Sequence, residues 1–193
     1  MIQHLCNQKF LFPLVCLGCF ALVSGGLNAQ ELFKTGKSQV YFKSDAPLEL
    51  IEATSGELKG VINMEDRSFA FSIPVRSFQG FNSPLQREHF NENYLESADY
   101  PNATFVGKVI EKVDLTQPGE YIVRAKGQLT IHGVEQERII RSKVVSSNGR
   151  LTVTSFFTVL LAEHQITIPK IVYQKIAEVI QVHIEAEFAA EAN

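Results

Sequence analysis

Apolar and polar residues alternate with a period of two along most of this chain, the signature of strands with one buried face. Residues 38–43 place Val40 and Phe42 against Gln39, Tyr41 and Lys43. A shorter strand is expected over 48–53. Residues 58–64 bring Leu58, Gly60, Ile62 and Met64 into phase, and residues 68–76 do the same for Phe69, Phe71, Ile73 and Val75. Pro74 falls on the opposite phase; lacking an N–H, it marks an edge or a bulge. Further on, Phe105, Gly107 and Val109 alternate over 104–112, and Tyr121, Val123, Ala125, Gly127, Leu129 and Ile131 over 121–131. Residues 136–145 and 150–161 flank Ser147-Asn148-Gly149, whose Asn-Gly pair favours a tight hairpin turn. The last strand, 179–188, aligns Ile180, Val182, Ile184, Ala186 and Phe188. Residues 30–37 read as a polar lead-in, 162–169 as irregular, and 170–178 as holding a helical turn. The pattern predicts an all-β fold of about eight or nine antiparallel strands, closed into a barrel or stacked as a sandwich.

The alternation stops once, between residues 81 and 107. Ser83-Pro84-Leu85-Gln86 predicts the start of a short helical insert over 83–99. Ser83 suits the cap, Pro84 the first helical position, and Gln86 the third residue of a capping box. Leu85, His89 and Asn93 share a helical stripe with Phe90 and Tyr94 beside it. Asn91 and Asn93 mark a break between two short turns. Pro101 ends the insert by pushing Tyr100 towards extended backbone. The aromatic side is expected to pack on the strands, and the side with Glu88 and Glu92 to face water.

Length and charge narrow the field. The 193 residues suit one domain, and a net charge of -3 without any Lys/Arg-rich run argues against a nucleic-acid partner. Residues 1–29 read as a signal peptide, with Lys9, an apolar stretch over 10–23, and Ala29 before the cut. Ser24-Gly25-Gly26 is a second cleavage candidate. A retained anchor competes, although the apolar stretch is shorter than the roughly 20 residues a span requires. So does lipidation at Cys19, where Gly18 fits but Cys16 stands in place of an aliphatic residue. Cys6, Cys16 and Cys19 all fall in this segment, so the chain from Gln30 onward has neither disulfides nor thiolate chemistry. The expected location is periplasmic or secreted.

Candidate chemistry is sparse. His89 and Glu92 share a helical face, and His132, His164 or His183 would have to complete a metal site; a hydrogen-bonded surface is the simpler reading. Glu88, Glu92 and Glu96 recur every four residues, as a solvated face does. One helix cannot place carboxylates on both sides of a sugar. His132-Gly133 reads as a turn. Glu163-His164 has no accompanying serine elbow, and no glycine-rich phosphate loop follows any strand.

The run EHFNENYLES at 88–97, then DYP at 99–101, Phe105-x-Gly107, and GQLTIHGV at 127–134 together resemble the YceI-like family. Its members are exported bacterial, lipocalin-like barrels that bind polyisoprenoid lipids. The resemblance extends over about residues 37–188. It implies a single YceI-like domain at 30–193, an antiparallel lipocalin-like barrel of about eight strands with the helical insert at 83–99. It further implies noncatalytic binding of a polyprenol or quinone tail, no cofactor, and transient contact with a membrane. The residues expected to line the ligand cavity are Phe42, Phe69, Phe71, Phe90, Phe105, Val123, Phe157 and Val182. That set has no polar lining, and a head group would sit at the mouth near His89 or His164. No catalytic or metal-binding residue is assigned. Asn91, Glu92 and Asn93 make this insert more polar than is usual in the family, which leaves open a more polar mouth, a shorter ligand or a structural role. Two alternatives stand beside the carrier: an exported structural or stress-related domain with a filled core, and a small-molecule hydrolase.

Overall fold

The computed structural model describes residues 32–190. The leader expected at 1–29 lies outside the described residues. Nine strands follow in order: β1 (Leu32–Asp45), β2 (Leu50–Ser55), β3 (Lys59–Asn63), β4 (Ser68–Pro74), β5 (Asn102–Val109), β6 (Gly119–Ile131), β7 (Val134–Ser147), β8 (Arg150–Leu160) and β9 (Val179–Ala190). Every pairing is antiparallel, and β1 also pairs with β9, so the sheet closes on itself. The open choice between barrel and sandwich is thereby decided for the barrel.

Nine strands make eight staves. β2 pairs with β1 from Val40 to Asp45, and β3 pairs along the same edge of β1 from Leu32 to Lys34. The two run in one direction and form a single stave broken at residues 56–58. Ser38 fills the break, donating from Oγ to the Gly56 carbonyl at 3.1 Å.

The first strand starts earlier than its pattern predicts. The stretch read as a polar lead-in belongs to β1 from Leu32 on, and Phe33 is buried. The β1–β9 register shifts between Thr35 and Ser38. The irregularity moves the inward phase from Phe33 to Val40, an odd to an even position, and so hides the strand from a strict two-residue period. Pro74 ends β4, where its missing N–H costs nothing, and a 3-10 turn (Val75–Ser77) follows.

One pair of glycines sets the curvature. Gly107 and Gly127 face each other across β5 and β6. A Cβ on Gly127 would lie 2.3 Å from the Val106 carbonyl oxygen, and one on Gly107 would lie 2.1 Å from that of Lys126. Only glycine lets the two backbones approach so closely, and such a kink bends a sheet towards closure.

The outer wall is wet. Lys108–Asp66, Arg124–Glu111, Lys126–Glu137 and Lys143–Glu120 form ion pairs across neighbouring strands or the loops between them. Hydrogen bonds from Lys108 and Ser68 hold the Asp66 carboxyl far below the usual carboxylate range. The apolar phase of every stave is therefore turned inward.

Candidate functional site: an apolar cavity under an aromatic insert

The interior is not filled. A cavity of about 580 Å³ runs inside the barrel, within the size range of sites that take small organic ligands. One end is closed: Leu115, from the loop between β5 and β6, is buried with Phe33, Leu151 and Phe188. The other end is the mouth, where β1 meets β2, β4 leads into the insert, and β8 leads into the loop before β9.

The structure places Phe42, Phe69, Phe71, Phe90, Phe105, Val123, Phe157 and Val182 on the wall of this cavity. The strand phases bring seven of them together. Phe69 stacks on Phe71 at 5.1 Å between ring centres and tilts against Phe105 at 4.9 Å. Phe71 in turn meets Phe188 at 5.6 Å near the closed end.

The eighth, Phe90, comes from the insert. Helix α1 (Pro84–His89) opens with Ser83 Oγ accepting from the Gln86 amide at 3.1 Å. The Gln86 side chain reaches back to the amide of Asn82 at 3.0 Å, one residue before the cap. A π turn (Phe90–Tyr94) follows, where Asn91 Nδ2 donates to the Arg87 carbonyl at 2.8 Å. The predicted break is thus a widening of the helix. It points Phe90 down, stacked on Phe42 at 5.4 Å and 17° and packed against Phe81 and Phe78. Phe90 is half-buried, while Glu88 and Glu92 face water.

Three expectations need correction. The cavity does have a polar lining: Ser142 on β7 and Ser155 on β8 are buried within it. Ser142 shares the inward phase of Ile140 and Val144, and Ser155 that of Phe157, but hydroxyls do not stand out in an apolar/polar pattern. His164 follows β8 at the mouth end but does not line the opening. It is fully buried under a 3-10 turn (Leu161–His164), with Nδ1 3.1 Å from the Val134 carbonyl and Nε2 without a partner among the described residues. Burial holds its imidazole below the ordinary histidine range. His89, by contrast, does border the mouth.

Glu96 is the third. It lies past the π turn at a positive φ of 43°, where its carboxylate meets His132 Nε2 at 2.8 Å. His132 occupies the β6–β7 turn at φ 51°, is covered edge-on by Tyr100, and has Nδ1 3.1 Å from the His164 carbonyl. So Glu96 anchors the insert to the hairpin and, though still exposed, does not share the helical face of Glu88 and Glu92. His183 pairs with Tyr41 and Phe156 positions on another part of the wall. No group of three metal-binding side chains occurs among the described residues. Glu163 is bound to Arg138, which leaves the Glu163-His164 pair without a shared site.

The rim is apolar and exposed. Leu48 is 66 % exposed, Leu85 57 %, Ile171 91 % and Tyr173 64 %. They come from three segments that touch: the Leu48 amide donates to the Gln174 carbonyl at 2.9 Å, and Gln86 Nε2 to Glu49 at 2.8 Å.

The sequence model of the YceI-like domain matches residues 33–188. Among solved structures, a polyisoprenoid-binding domain from Saccharophagus degradans, implicated in plant cell wall breakdown, superposes with a TM-score of 0.72 at 15 % identity, covering 84 % of this chain and 100 % of that one. Burkholderia cenocepacia BcnA superposes at 0.65 with 16 % identity, covering 78 % and 95 %. The Campylobacter jejuni YceI protein superposes at 0.59 with 16 % identity, covering 74 % and 86 %. No curated protein sequence matches the chain.

Proposed function

Because the chain belongs to the YceI-like family and closes around an apolar cavity of about 580 Å³, we propose that it is a noncatalytic carrier of an isoprenoid lipid, a polyprenol or a quinone tail. The cavity carries this reading. A hydrocarbon chain gains roughly 0.8 kcal/mol for each methylene taken out of water. Ten buried methylenes contribute about 8 kcal/mol before association costs, enough to hold a tail through purification. The solved relative described as polyisoprenoid-binding supports the ligand class. A filled structural core does not suit an interior of this volume. A hydrolase reading lacks converging groups: among the described residues the histidine–carboxylate pair is Glu96–His132, which lies outside the lining.

The leader at 1–29 supports export to the periplasm or beyond. The rim supports loading from a membrane. Leu48, Leu85, Ile171 and Tyr173 ring the mouth, and Lys170 and Lys175 stand among them, as suits contact with an anionic lipid surface.

The test is native mass spectrometry of protein purified from a bacterial host, followed by solvent extraction. The expected result is an added mass that extracts as an isoprenoid. Val123→Asp, which puts a charge at a buried lining position, should remove it. Val182→Trp, which fills volume without charge, should remove it in a protein that still folds. A wild-type protein that flies bare, and takes up neither polyprenol nor quinone when offered, refutes the carrier.

A further inference from the structure

Midway along the barrel, β7 and β8 set two buried hydroxyls among apolar neighbours. Ser142 and Ser155 are direct cross-strand partners, both buried, both lining the cavity. Their neighbours in the same ring are Val123 on β6 and Ile184 on β9. Their Oγ atoms are 2.7 Å apart.

Bond counting makes this pair unusual. Each hydroxyl carries one proton and two lone pairs. The mutual bond consumes one proton and one lone pair. The second proton has no acceptor among the described residues. A staple between strands needs only the mutual bond, and the spare donor borders empty apolar space. Ser44 also lines the cavity, but at the mouth end of β1, where its Oγ accepts from the Ala177 amide at 2.9 Å; Ser72 and Thr104 border it from the opposite phase to Phe71 and Phe105, and both are half-buried. The charged and titratable side chains of the lining, Glu49, Lys175, His89 and Tyr94, belong to the mouth and its insert. Nothing midway along the barrel could neutralise a phosphate or carboxylate, and an unpaired ion there would be strongly disfavoured.

We propose that Ser142 and Ser155 form an internal polar subsite that donates a hydrogen bond to a neutral oxygen of the bound lipid, a ketone or quinone carbonyl or an alcohol. This rests on the carrier reading and narrows its ligand. The preferred cargo has a neutral oxygen within the buried part of the molecule. A charged head group is held out at the rim.

The probes are geranylgeranylacetone, a neutral isoprenoid ketone, squalene, an isoprenoid without oxygen, and geranylgeranyl diphosphate. Binding is read by displacement of N-phenyl-1-naphthylamine, and the carbonyl by infrared spectroscopy of the ketone complex. Wild-type protein should bind the ketone roughly two- to ten-fold tighter than the hydrocarbon, the worth of one neutral hydrogen bond. The bound carbonyl stretch should shift to lower frequency than in hexane. Ser142→Ala/Ser155→Ala should lose both the preference for ketone over squalene and the shift. Ser155→Thr, which keeps a hydroxyl, should retain them. Equal binding of ketone and squalene to wild type, an unshifted carbonyl, diphosphate bound as tightly as ketone, or a preference that survives the double alanine change each overturns the subsite while leaving the carrier intact. Uptake of none of the three overturns both. The carbonyl shift in wild-type protein decides the matter even if the double variant does not fold.

Discussion

Phe90→Ala separates the insert from the barrel it covers. Full removal of a buried phenylalanine costs about 3–5 kcal/mol. Phe90 is half-buried, so roughly half the transfer loss applies, and its stacked contact with Phe42 at 5.4 Å adds about 0.5–1.5 kcal/mol. The expected total is about 3 kcal/mol. For a domain of this size that lowers the Tm by about 6–12 °C. The other ties of the insert remain: the Ser83 cap, the Gln86–Glu49 bond, and Arg87 Nη2 donating to the Arg76 carbonyl at 2.9 Å. The loss should therefore appear first as local opening. Urea unfolding gives the global figure, and hydrogen exchange by mass spectrometry gives its distribution. Residues 82–97 should lose protection before β6 and β7 do, and bound ligand should leave faster. A global loss above about 4 kcal/mol with uniform loss of protection would mean that Phe90 belongs to the barrel core. No loss at all would mean that the Phe42–Phe90 stack closes nothing.

Other expectations follow from single features. The buried His164 imidazole titrates below its ordinary value near 6.5, so the unfolded chain binds the extra proton first. Stability from this group is complete above that value and falls as pH drops below it. Arg138 adds to the disfavour and Glu163 opposes it, so His164→Asn should flatten the slope of Tm between pH 7 and 5. An unchanged slope refutes the assignment. Gly127→Ala drives a Cβ to 2.3 Å from the Val106 carbonyl and should cost about 3 kcal/mol or more in urea unfolding; a cost under 1 kcal/mol would show that the close approach is relaxed easily. Glu96→Gln weakens the part-exposed contact with His132 and should cost under about 1 kcal/mol, yet speed exchange of the amides of 96–100; unchanged exchange would show that the His132 contact does not anchor the insert.

What the sequence revealed was whatever a two-residue period can carry. Once a strand is assigned, its phase sorts inward from outward residues without knowledge of its partners. That is why Phe69, Phe105, Val123 and Val182 could be named in advance. The period fails where geometry inserts a residue: the irregularity after Thr35 reverses the phase of β1, and Phe33 was lost with it. It also fails where chemistry depends on pairing. Ser142 and Ser155 acquire meaning only when their register makes them opposite each other, and that pairing is a long-range fact. His164 looked like a surface histidine because its cover, the Leu161–His164 turn against β7, has no local signature. Glu96 continued a regular spacing past the point where the helix had already ended. Whether the barrel was hollow could not be read at all, since an apolar stripe packs against itself or lines a space with equal ease.

The position of the mouth follows from the broken stave. β3 stays paired with β4 from Lys59 to Ser72, but β2 parts from β4 and keeps only the Thr54–Gln79 bridge. The wedge between them takes the Val75–Ser77 turn, where Ser77 Oγ contacts Ser55 Oγ at 2.5 Å and donates to the Pro74 carbonyl at 2.6 Å. Closing this gap with a regular strand would seal the barrel along its whole height. The gap instead hands the wall over to Phe78, Phe81 and Phe90, which sit on turns and a short helix. Side-chain packing and a few part-exposed hydrogen bonds hold this section, whereas the β6–β7 and β8–β9 walls are held by continuous ladders. Local opening follows the weakest hydrogen-bonded section. The route for a ligand therefore runs under the insert, between the β1–β2 hairpin and α1, at the place where the exposed Leu48 and Leu85 rim the mouth.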